Sequence, residues 1–199
     1  MEWASLSAVG LVKKTRIHTM KTSITTKTGD RGTTRLFSGE EVSKDSSRPN
    51  AYGDLDELVS ILGVARCHCP DADTQQAILN LQRDLFVAGS EMATAPGGLE
   101  RLGQRIDAAR LADLERLMTE LEEAIEIPNG FIVPGGTPAG AFLDLARSVS
   151  RRLERRVVGM YADGELDNDN LIVWLNRLSD YLYLLARSAE DKPTLVKPE

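Results

Sequence analysis

The sequence predicts an all-α domain: a five-helix antiparallel bundle preceded by an irregular N-terminal loop. Three observations carry that expectation. Beyond residue 50, apolar residues recur at three- and four-residue spacing almost without interruption. Proline- and glycine-rich breaks cut this stretch into five segments with short to medium connections, the layout of an antiparallel bundle. No alternating strand pattern competes, and aromatic residues make up only 5% of the chain, which argues against a sandwich or barrel.

Taken in order, the first nineteen residues read "MEWASLSAVGLVKKTRIHT". Their cations follow the apolar part, the reverse of a secretory leader. They are expected to be a disordered extension, with Met20 as a natural start. Residues 20–191 then form a single domain and residues 192–199 a C-terminal tail. With 199 residues, 42% of them apolar, the chain fits one domain with a real core.

The loop comes next. Thr25 to Arg35, "TTKTGDRGTTR", holds one lysine, two arginines, two glycines and five threonines, and no apolar residue. Such a block cannot serve a core. Lys27 and Arg31 supply charge, Gly29 and Gly32 allow close backbone approach, and Thr26, Thr28, Thr33 and Thr34 supply hydroxyl donors. That inventory suits a triphosphate. It is no Walker A loop, since no Gly-Lys-Ser/Thr follows and no strand precedes it. Lys44 either extends the cationic surface or is simply solvated.

Five apolar stripes follow. Leu55, Leu58, Val59, Leu62 and Ala65 form the first, and Ile78, Leu81, Leu85, Gly89 and Met92 the second. Leu111, Leu114, Leu117, Leu121 and Ile125 form the third. The fourth runs Phe142, Leu145, Val149, Leu153 and Val157, and the fifth Leu171, Leu175, Leu178, Leu182 and Leu185. Between the first two, "RCHCPD" sets Cys67, His68 and Cys69 together. A tetrahedral metal site would need another ligand, and His18 is the only other histidine, so Pro70 simply ends a helix and no metal site is expected. The thiols are expected to be reduced, in the cytoplasm.

Charge is distributed unevenly. The net charge is −6 and the sequence pI about 5.1, so no global field invites nucleic acid or an anionic membrane, and no apolar run approaches spanning length. Yet "RSVSRRLERR" carries five arginines in ten residues. At about 100° per residue, Arg147, Arg151 and Glu154 share one helix face, with Arg155 alongside. Asn176, Asp180, Tyr183 and Arg187 line up likewise on the fifth helix. Like charges one turn apart repel, so a solvated face is a poor account of the pair. Planar guanidinium forks in a row suit a polyanion, with phosphate the obvious one.

The segments "TKTGDRGTTRLFSGEEVSKD", "AYGDLDELVSILG", "GFIVPGG", "ARSVSRRLERRVV" and "LNRLSDYLYLLAR" resemble the PduO-type ATP:cob(I)alamin adenosyltransferases, collinearly from Thr25 to about Arg187. The resemblance implies a five-helix bundle that forms a homotrimer with active sites between subunits. Thr26, Lys27, Thr28, Gly29, Thr34, Arg35 and Lys44 would bind ATP from one subunit. Arg151, Arg152, Glu154, Arg155 and Asn176 would complete the site from the next. Asp56 would pair with Arg147 across that boundary, and Phe131 would lie beneath the corrin ring.

The implied reaction moves the 5′-deoxyadenosyl group of ATP onto the cobalt of reduced cobalamin. Magnesium would ride mainly on phosphate oxygens and water. An adenosylcobalamin-dependent enzyme and a reductase are the further partners implied. Asp54 stands where the family often has threonine, which adds negative charge beside Asp56. Two other classes are open on the residues alone, a carrier that delivers adenosylcobalamin without making it and a structural helical oligomer.

Overall fold

The computed structural model describes residue 25, residues 27–190 and residues 192–197. The expected N-terminal extension, residues 1–19, and Thr26 of the loop lie outside them. Five α-helices run in the expected order: α1 Ser47–His68, α2 Ala72–Met92, α3 Ala108–Ala124, α4 Pro138–Ala162 and α5 Asp169–Ser188. A 3-10 turn, Pro96–Arg101, occupies the "APGG" break. Among the described residues, no helix is long and apolar enough to cross a membrane.

The helix starts are written in the sequence. Asp71, Asp107, Thr137 and Asn168 each accept a backbone N–H from the first turn of the helix that follows, relieving donors that have no partner inside the helix. Pro138 sits at the first position of α4, where a missing N–H costs nothing. Helix α1 stops at His68 ahead of Pro70, as expected. Cys67 is exposed, Cys69 is buried, and both are free. Burial, with Asp71 nearby, pushes the Cys69 thiol up, so it behaves as a core side chain.

Helices α1, α2, α4 and α5 share one core, with α4 packed between α1 and α5. The α4 seam is Ala139, Leu143, Ala146, Ser150, Leu153, Val157 and Met160, which steps by four and three. Two corrections to the expected stripes follow. Leu145 is 47% exposed, because small Ala146 and Ser150 hold the seam one position further on. Arg187, expected on the outer face of α5, is buried at 5% exposure. The five stripe leucines of α5 are all buried, joined by Leu184, Trp174 and Tyr181. Helix α3 is peripheral: it packs on α5, and Leu114 is its one buried residue.

Two short antiparallel ladders supplement the helices. Strands β1 (Thr33–Arg35) and β2 (Glu41–Ser43) form a hairpin in which Thr34 faces Val42. Strands β3 (Ile132–Val133) and β4 (Thr194–Leu195) pair Ile132 with Leu195. Strands of two or three residues are too short to show alternation, so the spacing gave no sign of them.

Buried charge locks one end of the bundle. Arg48 donates to the carbonyls of Met92 (2.9 Å) and Thr94 (2.6 Å) and pairs with Glu165 at 3.5 Å. Fully buried Glu91 accepts from Ile106 N–H (2.6 Å), Arg105 Nε (2.9 Å) and Asn168 Nδ2 (2.9 Å). Glu91→Ala leaves three donors without their acceptor, and the expected loss is about 3–5 kcal/mol. Urea unfolding measures it directly. A shift below 1 kcal/mol, roughly the scale of a surface substitution, would show that water replaces the carboxylate.

Candidate functional site

The hairpin builds the first half of the site. Lys44 N–H donates to Gly32 O at 2.9 Å, which fastens the Gly29–Gly32 turn to the end of β2. Gly32 has φ 83° and Lys27 φ 59°, both in the left-handed region that glycine accepts readily and lysine does not. Gly29 is needed for space: a Cβ there would lie 2.9 Å from Lys44 Nζ and 3.2 Å from Thr33 O. The lysine therefore lies against the turn. Lys27, Arg31 and Lys44 are exposed and have no ion pair among the described residues. Arg35 has only a long, exposed contact to Glu41 at 3.9 Å, and Thr34 is half-buried.

Helix α4 builds the second half, and it sorts its arginines. Asp54 of α1, only 12% exposed, accepts from Arg152 Nε at 3.2 Å and Arg156 Nε at 2.5 Å. Glu57 takes the other end of Arg152. The hydrogen bond it donates to Asp54 holds the Arg152 guanidinium above its ordinary pKa. Arg151 and Arg155, one position earlier in each pair, are exposed and have no ion pair among the described residues. Glu154 accepts from Asn176 Nδ2 at 3.0 Å, tying the α4 face to α5. The charge of Asp54 is thus absorbed by Arg152 and Arg156, and Asp56 remains exposed beside it.

Arg147 gives its Nε to Asp144 Oδ1 at 3.1 Å and remains 30% exposed. Arg187 holds the other oxygen of Asp144 at 2.6 Å. The sequence reading missed Asp54 and Glu57 as counter-ions, and it missed Asp144 altogether. Their signal was available in part, since Asp144 stands three residues before Arg147 on one helix face.

Among the described residues, the two cationic halves are not joined within one chain. The hairpin docks on the C-terminal end of α2: Phe37 N–H donates to Ala93 O at 2.8 Å, and Ala95 N–H donates to Ser38 Oγ at 2.9 Å. Arg151 lies eleven residues before the end of α4, about 16 Å along its axis. Among the described residues, no hydrogen bond or ion pair links Lys27, Arg31 or Lys44 to α4.

Phe131 is set apart from both, at the opposite bundle end. It is 86% exposed, so it is not a loop aromatic tucked into its own bundle. A ring held in solvent by a structured turn offers a flat apolar face to something outside the chain.

Residues 24–189 match the family model for cobalamin adenosyltransferase. The chain is 41% identical over 170 residues to a corrinoid adenosyltransferase of Citrobacter freundii, covering 85% of this chain and 96% of that protein. It is 36% identical over 167 residues to a corrinoid adenosyltransferase of Bacillus subtilis, covering 81% and 83%. Its fold matches that of a variant PduO-type ATP:corrinoid adenosyltransferase from Lactobacillus reuteri, solved with cobalamin and ATP. There the TM-score is 0.80 at 29% identity, over 88% of this chain and all of the other. The chain belongs to the cobalamin adenosyltransferase family.

Proposed function

We propose that the chain transfers the 5′-deoxyadenosyl group of ATP to the cobalt of a reduced corrinoid in a site shared between neighbouring subunits of a homotrimer. The observation that carries the shared site is the separation of the two cationic halves, each with cations that have no ion pair among the described residues. In this reading Thr26, Lys27, Thr28, Gly29, Thr34, Arg35 and Lys44 hold the triphosphate from one subunit. Arg151 and Arg155 meet it from the next with free guanidinium forks. Arg152 adds charge from behind, and the Glu154–Asn176 pair fixes the face. Asp56, exposed and unpaired among the described residues, reaches Arg147 of the neighbour.

The chemistry matches that inventory. The electron pair of Co(I) forms the cobalt–carbon bond as the C5′–O bond breaks, and the released pair leaves with triphosphate. No proton leaves the nucleophile, so no general base is required. What the chain supplies is alignment of the 5′-carbon and neutralisation of charge growing on the leaving oxygen. Magnesium, in this reading, would ride on the phosphate oxygens of the nucleotide and on water.

An anaerobic assay with chemically reduced cobalamin and ATP tests the reaction, with adenosylcobalamin and triphosphate formed one to one. ATP turnover without cobalt alkylation would overturn it. Arg151→Lys keeps the charge and loses the fork, so turnover is expected to fall by about 10- to 100-fold. Its melting temperature should stay within about 2 °C of the parent, because the side chain is exposed. A melting temperature that falls with activity would make Arg151 structural.

A further inference from the structure

The turn that carries Phe131 is held from outside, by residues that follow α5. Val196 N–H donates to Phe131 O at 2.8 Å. The β3–β4 ladder continues from there, with Ile132 opposite Leu195 and Val133 opposite Thr194. At the far end of the turn, Glu190 Oε1 accepts from Gly136 N–H at 3.0 Å, and the Thr137 hydroxyl donates to Ala189 O at 2.9 Å.

Glu190 is built in. Its side chain is 1% exposed, and a Cβ on Gly136 or Gly140 would lie 3.0 or 2.8 Å from its carboxylate. Arg187 holds that carboxylate at 3.3 Å and passes on to Asp144, which holds Arg147 on the α4 face. The turn itself is loose by composition. Gly130 and Gly135 have φ 145° and 118°, so little in the local chain fixes its course. The Phe131 ring is 86% exposed, so the described residues cover little of it. Its direction therefore depends on the backbone, and the backbone depends on these contacts.

We propose that residues 192–197, with Glu190, form a positioning strap for Phe131, and that Val196 is its positioning residue through one backbone N–H. The strap lies beyond the residues, 24–189, that match the family. Its catalytic consequence rests on the reading in which Phe131 lies beneath the corrin. With the strap in place, the ring meets the lower face of the corrin in one orientation and keeps an axial ligand off the cobalt. Without it, the ring samples several orientations and that protection fails.

The test uses full-length Val196→Pro, which deletes the N–H, beside Val196→Ala, which keeps it. Val196 is 57% exposed, so neither change empties the core. Chymotrypsin, which cuts after aromatic residues, reads the turn directly. Cleavage after Phe131 should be about tenfold faster in Val196→Pro and unchanged in Val196→Ala, since proteolysis follows the population of opened chain. Unchanged cleavage in Val196→Pro overturns the strap.

Activity is read from two starting points, Co(II)alamin with a reductant and chemically prepared Co(I)alamin. Val196→Pro should lose about tenfold in kcat from Co(II), far less from Co(I), with KM for ATP unchanged. Equal loss from both starts, or a raised KM for ATP, makes the segment general support and overturns its positioning role. Phe131→Ala, run in parallel, separates the two ideas. If it shows no Co(II)-specific loss while cleavage in Val196→Pro still rises, the strap stands and the corrin reading of Phe131 falls.

Discussion

Lys27→Ala and Arg151→Ala subunits, each inactive alone, regain activity when assembled into one trimer. Either substitution removes a cation that has no other partner among the described residues, so each should lose about 10²-fold or more in turnover. The first damages only the loop half of a site and the second only the α4 half. In a ring closed by head-to-tail interfaces, each mixed trimer contains one junction where an intact loop meets an intact helix. An equal mixture should therefore recover about a quarter of the parent activity. Native mass spectrometry verifies that mixed trimers form. Verified mixed trimers that remain inactive would place both halves of each site in a single subunit.

Phe131→Ala separates chemistry from packing. The ring is 86% exposed, so its removal should change stability by less than about 0.5 kcal/mol and leave assembly and ATP binding intact. In the proposed site, the ring would lie below the corrin and deny the cobalt its lower axial ligand. A cobalt that loses this ligand is more easily reduced to the nucleophilic state. The variant should therefore fail mainly when it starts from Co(II), by a factor of about 10² or more. It should recover part of its activity when Co(I) is supplied ready-made. Equal failure from both states, together with a lower melting temperature, would remove Phe131 from the mechanism.

The sequence made the helices legible because each buries a leucine-rich stripe at fixed spacing. Leu171, Leu175, Leu178, Leu182 and Leu185 are all buried as the period requires. It was less informative on α4, where Ala146 and Ser150 carry the seam and large Leu145 stands outside it. Small residues pack closely without registering as hydrophobic. For the site, charge density on α4 was readable, but its division into held and free arginines was not. That division depends on Asp54 and Glu57, about a hundred residues earlier, which only the α1–α4 packing brings near. Arg187 looked like a surface residue because one partner, Asp144, lies 43 residues earlier on α4, and the other, Glu190, is buried just past the end of α5.

The marginal attachment of α3 gives the bundle unequal cooperativity. Its links to the rest are one buried leucine, a few half-covered ones and partly or wholly exposed ion pairs such as Arg177 with Glu115. Surface pairs of that kind contribute little. The other four helices bury far more of their surface, so α3 is expected to open at a lower free energy than they do. The turn bearing Phe131 follows directly from this loosest helix. Sub-global opening there would free the upstream side of the turn while the strap still held the downstream side. A chain segment of low local stability therefore adjoins the turn that presents Phe131.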